Sequence, residues 1–98
     1  MGQGVKTDKT LAIRWFQKAA QKGDAVSQFN LGIIYENGDG VERDYSAALN
    51  WYQKSAFQGA AVAQFNIGTM HQWGNGVNID YKQAAYWYKK AAKNGYAN

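Results

Sequence analysis

The sequence contains no cysteine, no proline and a single histidine among its 98 residues. Without cysteine there is no disulfide framework, no thiolate metal site and no cysteine nucleophile, and either redox compartment remains open. Without proline there is neither a polyproline segment nor a helix breaker. His71 has no cysteine or second histidine to complete a metal site, so we interpret it as a partly packed aromatic substitute. We expect neither a metal ion nor a cofactor.

Long apolar runs are also missing. No stretch approaches the ~18 apolar residues that a membrane span requires, so we predict no membrane insertion. The hydrophobic content of 46% and the aromatic content of 15% argue against disorder. A net charge of +4 is mild. The sequence leaves the compartment open.

Signals for enzymatic chemistry are weak. The glycine-rich loops at residues 38–40 and 74–76 begin like a dinucleotide-binding motif, but Arg43 and Ile79 stand where its third glycine belongs. No strand is predicted before either loop. Acidic residues are few, and most are explained as helix caps or surface, so no paired general acid and base is visible. We therefore predict a non-enzymatic protein.

The strongest signal in the sequence is an internal repeat. Residues 23–58 align with residues 59–94 at an offset of 59 − 23 = 36, and 17 of these positions are identical. A period of about 20 to 50 residues is typical of stacked repeat proteins. The shared residues are mainly glycine, alanine and aromatics, which set turns and packing. The repeat therefore encodes a scaffold, and function is expected on its variable surface.

Both ends of the chain follow the same register. We predict one domain over residues 1–98, made of a half repeat at 1–22, full repeats at 23–58 and 59–94, and the start of a further repeat at 95–98. Repeat arrays normally close with polar capping units, and neither end shows one. We interpret the chain as part of a longer array. The uncapped faces at residues 9–21 and 81–93 are expected to permit self-association.

The first half of each unit predicts a helix, which we call helix A, from Asp24 to about Glu36. The residues that share its inner face are Ala25, Gln28, Phe29, Gly32 and Tyr35. Glycine costs a helix about 1 kcal/mol relative to alanine, so Gly32 and its repeat Gly68 need a packing reason. We predict that they let a neighbouring helix approach closely.

The second half of each unit predicts helix B, from Tyr45 to Phe57. Its expected N-caps are Asp44 and the equivalent Asp8 and Asp80, and the glycines expected to end the B helices are Gly23 and Gly59. The chain should then contain five antiparallel helices in the order B-A-B-A-B, which is an all-α fold.

The segment GDGVERDYSAALNWYQKSAFQG at residues 38–59, followed by AVAQFNIG at residues 61–68, resembles the Sel1-like repeat, a relative of the tetratricopeptide repeat. The resemblance covers nearly the whole chain. It implies an α/α solenoid coiled into a right-handed superhelix of helix pairs, used as an adaptor for other proteins. Some bacterial members join each helix pair by a disulfide, and this chain departs from them because it has no cysteine.

In the related tetratricopeptide architecture the A helices line the concave side, and a helical wheel shows what they would present there. The resulting candidate partner-binding residues are Val26, Phe29, Ile33, Glu36, Asn37, Val62, Phe65, Thr69, Gln72 and Trp73. We predict that this groove binds a peptide or protein, with Trp73 as its anchor. Alternatively, the two phenylalanines pack between neighbouring A helices, Trp73 covers a loop, and the module is a structural spacer.

The outer faces of the B helices carry a repeated lysine at Lys18, Lys54 and Lys90, with Arg14, Lys82, Lys89 and Lys93 nearby. Such a stripe can attract anionic surfaces or nucleic-acid phosphates. It is more often a solvated face. Nucleic-acid binding usually needs exposed aromatic residues that stack on bases, and most aromatics of this chain occupy positions conserved between its own repeats. It is therefore the least favoured alternative.

Overall fold

The computed structural model describes the backbone of residues 2–96 and the side chains of residues 8–96. Over the described backbone the chain forms five α-helices and no strand. They are α1 (Gly2–Gln21), α2 (Ala25–Asn37), α3 (Tyr45–Phe57), α4 (Ala61–Trp73) and α5 (Tyr81–Lys93). Helices α2 and α4 are A helices, and α1, α3 and α5 are B helices. The predicted all-α fold and its helix order are confirmed. The predicted repeat match at Ala97 lies outside the described residues.

Helix caps appear where the repeat predicts them in both full units. Asp44 Oδ1 accepts the backbone N–H of Ala47 at 3.1 Å, and Asp80 plays the same part before α5. After α3, Gly59 adopts a left-handed φ of 92°. Its N–H donates to the Ala56 carbonyl at 2.9 Å, which closes the helix in a Schellman-type turn. Gly23 ends α1 in the same way.

The N-terminal half unit departs from the prediction. Helix α1 begins at Gly2, so Asp8 lies inside a helix, and its predicted role as an N-cap is wrong. In the full units the loop is held by the preceding helix A, because the Asp44 N–H donates to the Tyr35 carbonyl at 2.9 Å. Asp44 caps α3 from extended backbone at φ −148°, whereas the equivalent segment of α1 is already helical from Gly2. A residue inside a helix cannot adopt the extended conformation that an N-cap needs.

Two apolar clusters run through the stack. One contains Ile13, Ala20 and Leu31, which joins α1 to α2. The other cluster is larger and joins α3 to α4. Its buried residues are Ala48, Tyr52, Ala56, Ala63, Ile67 and Met70. Tyr35 packs against both clusters. Neighbouring units thus share their core, as expected for a linear array.

The repeated helix glycines lie where A and B helices touch. A Cβ placed on Gly32 would overlap the ring of Tyr52, and one placed on Gly68 would come within 2.7 Å of Cε1 of Tyr88. Tyr52 is fully buried. The predicted packing reason for both glycines is confirmed, and the partner is the repeated tyrosine of helix B.

A buried amide also links three consecutive helices. Gln28 Nε2 on α2 donates to the Ala20 carbonyl at the end of α1, at 3.1 Å. Gln28 Oε1 accepts from Gln58 Nε2 after α3, at 3.0 Å. The second unit repeats this link with Gln64, Ala56 and Asn94. Each link joins the C-terminal ends of two successive B helices through the helix A between them.

None of the helices in residues 2–96 combines the length and the apolar character needed to cross a membrane.

Candidate functional site

The ten predicted groove residues lie on the two A helices, five on α2 and five on α4. They differ widely in exposure. Val26 and Trp73 are each 66% exposed and Val62 is 42% exposed. Asn37 is also exposed, whereas the remaining six are half-buried: Phe29, Ile33, Glu36, Phe65, Thr69 and Gln72.

The two phenylalanines contact aromatic rings of the framework. Phe29 lies 5.9 Å, centroid to centroid, from the ring of Tyr52. Phe65 lies 5.0 Å from the ring of Tyr88 and stacks on Tyr96 at 4.5 Å with an interplanar angle of 16°. Tyr96 follows α5 at the start of the next repeat register. Both phenylalanines therefore contribute to packing between helices, whatever surface they leave open.

The polar members of the set hold the tyrosines of the B helices. The Tyr52 hydroxyl donates to Glu36 Oε1 at 2.6 Å, and the Tyr88 hydroxyl donates to Gln72 Oε1 at 2.6 Å. Burial, reinforced by the Glu36 carboxylate, raises the pKa of Tyr52 well above its ordinary value of 10.0. The phenol thus remains a neutral donor at physiological pH.

Sequence reasoning missed this role of Glu36 and Gln72, which it treated as the polar edge of a groove. A signal was present, because each position carries a side chain with an acceptor oxygen, 16 residues before a tyrosine of helix B. The wheel gives the direction of a side chain on its own helix. It does not show which group the partner helix places opposite.

His71 occupies the position equivalent to Tyr35 and is half-buried. Its Nδ1 is buried and has no hydrogen-bond partner among the described residues. Over that part of the chain no cluster of three or more histidine and acidic side chains could hold a metal ion. The histidine environment is consistent with the predicted packed aromatic substitute.

Two of the three repeated lysines, Lys54 and Lys90, lie over aromatic rings of their own helices. Lys54 Nζ is 5.2 Å from the centroid of the Trp51 ring, and Lys90 Nζ is 5.4 Å from that of Tyr86 and 5.9 Å from that of Trp87. At such distances the ring faces attract the ammonium groups. These contacts between lysine and aromatic side chains therefore help to stabilise the B helices locally.

The paired helices, the repeated glycine-tyrosine contact and the shared core together define an α/α solenoid repeat protein. A family model described as Sel1 repeat matches residues 1–24, 25–59 and 61–96. The chain belongs to the Sel1 repeat family, as its sequence motifs predicted. The fold of this family is typically a non-enzymatic scaffold, and its members generally bind proteins.

Solved structures of two bacterial proteins are similar to this chain. A Sel1 repeat protein from Oxalobacter formigenes is 38% identical with a TM-score of 0.82, and the match covers 85% of this chain and 63% of that one. The second is c5321, a protective antigen present in uropathogenic Escherichia coli strains that displays an SLR fold. It is 41% identical with a TM-score of 0.82, over 85% of this chain and 18% of its own. The chain thus spans less than two thirds of either protein. No curated protein matches it.

Proposed function

We propose that this chain is a non-enzymatic interaction module that binds a peptide or protein segment along the concave groove of its A helices. The observation that supports this is the exposure of Val26, Val62 and Trp73 on helices whose other large apolar residues are wholly or partly buried. In the described part of the chain, these three side chains do not pack against either apolar cluster. A surface of this kind suits an extended or helical ligand.

The candidate residues divide by contact into a framework and an open surface. The framework residues contact the core, aromatic side chains or backbone, and they are Phe29, Ile33, Glu36, Phe65, Thr69 and Gln72. The open surface consists of Val26, Asn37, Val62 and Trp73. Its most variable position is the one that holds Asn37 in one unit and Trp73 in the next, so this position is the best candidate for specificity.

Trp73 is the proposed anchor of the ligand. A tryptophan buries a large apolar area on binding and also offers an indole N–H as donor. At protein interfaces, the residues whose truncation costs the most binding energy are enriched in tryptophan. An exposed tryptophan at the end of α4 fits that description.

The test is selection of peptides from a random displayed library on the purified chain, followed by affinity measurement on Trp73→Ala. We expect a loss of about tenfold or more in affinity, because anchor residues typically contribute about 2 kcal/mol or more. The melting temperature should be nearly unchanged, since exposed substitutions usually shift stability by less than about 0.5 kcal/mol. Phe57→Ala is the matched control, because Phe57 is an exposed aromatic at the end of helix B.

Equal binding by Trp73→Ala and the parent chain would remove Trp73 from the site. Failure to select any saturable peptide would favour the alternative function, which is a structural spacer or self-assembling scaffold. A basic surface acting on anionic partners would instead be revealed by retention on heparin that persists at moderate salt.

A further inference from the structure

An open slot of about 370 Å³ lies between the B helices α3 and α5, near the C-terminal end of both helices, and we call it the B-helix slot. Phe57 lines it from α3, and Trp87 and Lys90 line it from α5. Ala56 and Gln64, which are both buried, belong to its lining as well. None of the slot residues is a candidate residue of the concave groove, so this is a separate surface.

Phe57 is the unusual residue of the slot. It is 96% exposed, although phenylalanine is one of the residue types most often buried in proteins. Its repeat equivalents are Gln21 and Lys93, so the repeat does not require an aromatic side chain at this position. In the described part of the chain its ring packs against neither apolar cluster. A ligand that covers this ring removes apolar surface from water, which favours binding.

Helices α3 and α5 carry positive charge alone. Their sequences contain no aspartate or glutamate, and their lysines are Lys54, Lys82, Lys89, Lys90 and Lys93. Among the side chains that the structure describes, the one ion pair joins Lys9 to Asp39, so none of these lysines has a carboxylate partner there. The C-terminus of a helix contributes roughly half a negative charge, which is less than the combined charge of the two lysines in the last turn of α5. The slot therefore lies in a positive environment.

Lys90 is held in position by aromatic groups of its own helix. Its Nζ donates to the Tyr86 hydroxyl at 3.3 Å and lies 5.9 Å from the centroid of the Trp87 ring. An ammonium group has three N–H donors, so others remain for a ligand. A side chain that is already positioned loses less conformational entropy when it binds a carboxylate.

We infer that the B-helix slot binds an acidic peptide segment that carries a bulky apolar side chain. The apolar side chain contacts the rings of Phe57 and Trp87, and a neighbouring carboxylate of the peptide binds Lys90 Nζ. Gln53 and Asn94 also line the slot, and their amides offer donors and acceptors to the peptide backbone. Charge complementarity with the unpaired lysines is the basis for an acidic partner, and the exposed ring of Phe57 is the basis for its apolar side chain.

The shape of the slot favours a peptide over an anionic membrane. Ala56 and Gln64 are buried and Trp87 is half-buried, so a planar lipid surface would reach Phe57 but not the rest of the lining. A peptide side chain is narrow enough to enter. Lipid binding is therefore a distinct outcome of the test.

The experiment uses three fluorescein-labelled peptides, titrated with the 98-residue chain at about 0.1 M salt and followed by fluorescence anisotropy. EEDFLDEE is acidic and apolar, EEDSSDEE is acidic without the apolar pair, and QQNFLNQQ is apolar without the charges. We expect saturable binding of EEDFLDEE. The other two should each bind about tenfold more weakly, because one loses the buried apolar side chains and the other loses the attraction to the lysines.

Variants of the chain locate the binding site. Phe57→Gln places at residue 57 the side chain found at the equivalent Gln21, and it should weaken EEDFLDEE about tenfold without changing EEDSSDEE. Lys90→Gln should weaken EEDFLDEE about threefold, as expected for an exposed ion pair, and should leave QQNFLNQQ unchanged. Lys82→Gln is the matched control, because it removes the same charge about 12 Å further along α5, beyond the Debye length of about 10 Å.

Two further measurements complete the design. Circular dichroism of the three variants verifies that the fold is retained. Trp73→Ala should leave EEDFLDEE binding unchanged, just as Phe57→Ala leaves binding to the concave groove unchanged. Failure of this inference and failure of the concave-groove proposal therefore give different results.

The inference is overturned by absence of saturable binding, by equal affinities of EEDFLDEE and EEDSSDEE, or by binding that Phe57→Gln does not weaken. Equal effects of Lys90→Gln and Lys82→Gln would also overturn it, because they would indicate diffuse attraction to a basic surface. Vesicles that contain phosphatidylserine serve as the lipid probe, and Phe57-dependent binding to them without peptide binding would assign the surface to membranes. Dimers of the chain that Phe57→Gln converts to monomers, again without peptide binding, would assign it to a second copy.

Discussion

Replacing Gly32 by alanine tests whether the close contact between helices A and B determines stability. Two opposing effects act on this substitution. Alanine improves helix propensity by about 1 kcal/mol relative to glycine. Against this, the new methyl group overlaps the Tyr52 ring, whose Cζ lies 3.0 Å from the ideal Cβ position and whose Cδ1 and Cε1 lie closer.

The ring has little freedom to move away. Tyr52 is fully buried, and its hydroxyl is held by Glu36 at 2.6 Å. Overpacking of this kind typically costs about 1 to 3 kcal/mol, so we expect a net loss of about 1 kcal/mol after the propensity gain. For a domain of this size that loss corresponds to a fall in melting temperature of about 4 to 8 °C.

Thermal unfolding followed by circular dichroism measures the effect, and a double-mutant cycle assigns its cause. In a Tyr52→Ala background the ring is gone, so Gly32→Ala should stabilise the protein by about 1 kcal/mol through propensity alone. A rise in melting temperature for Gly32→Ala in the otherwise unchanged chain would refute the reasoning. So would the same effect of Gly32→Ala in both backgrounds.

Three further predictions concern a buried glutamine link and the N-caps of the A helices. Gln64→Leu should destabilise the protein by about 1 kcal/mol in urea unfolding, because the Ala56 carbonyl loses one of its two donors and the Asn94 amide loses its acceptor. Exposed Gln53→Leu is the control, and equal effects of the two substitutions would contradict the link. Ala60→Ser should raise stability by about 0.5 to 1 kcal/mol, because α4 has no side-chain N-cap whereas Asp24 caps α2 through the Val26 N–H. Asp24→Ala should lower stability by a similar amount. A fall in stability for Ala60→Ser, or a rise for Asp24→Ala, would show that these positions act through other contacts.

Much of the fold could be predicted because its boundaries depend on local chemistry. The residues from Tyr45 to Phe57 form helix B as predicted, since an aspartate before them and a glycine after them complete its ends. Helix A is displaced by one residue at each end from the predicted span. The prediction that Asp8 caps a helix was wrong because an N-cap needs extended backbone, and the backbone at Asp8 is helical. An alignment matches residue types and does not show backbone conformation.

The candidate site could be predicted less completely. Exposure of Val26 and Trp73 follows from their place on the wheel. The contacts of Glu36 and Gln72 with tyrosines do not, because they depend on the groups that a second helix places opposite. The buried glutamines were also missed, since a polar side chain on an apolar face is recognisable as a link only when its distant carbonyl and amide partners are known. Partner binding at the open residues stays a prediction.

The glutamine links bear on how such a chain can lengthen. Donor and acceptor recur with the same period as the helices, so duplication of any 36-residue stretch in frame supplies a new amide together with the carbonyl it requires. An insertion of another length would separate the two and leave buried polar groups unsatisfied. Growth by whole periods is therefore the route that preserves every junction, and the array can gain units without redesign of its interior.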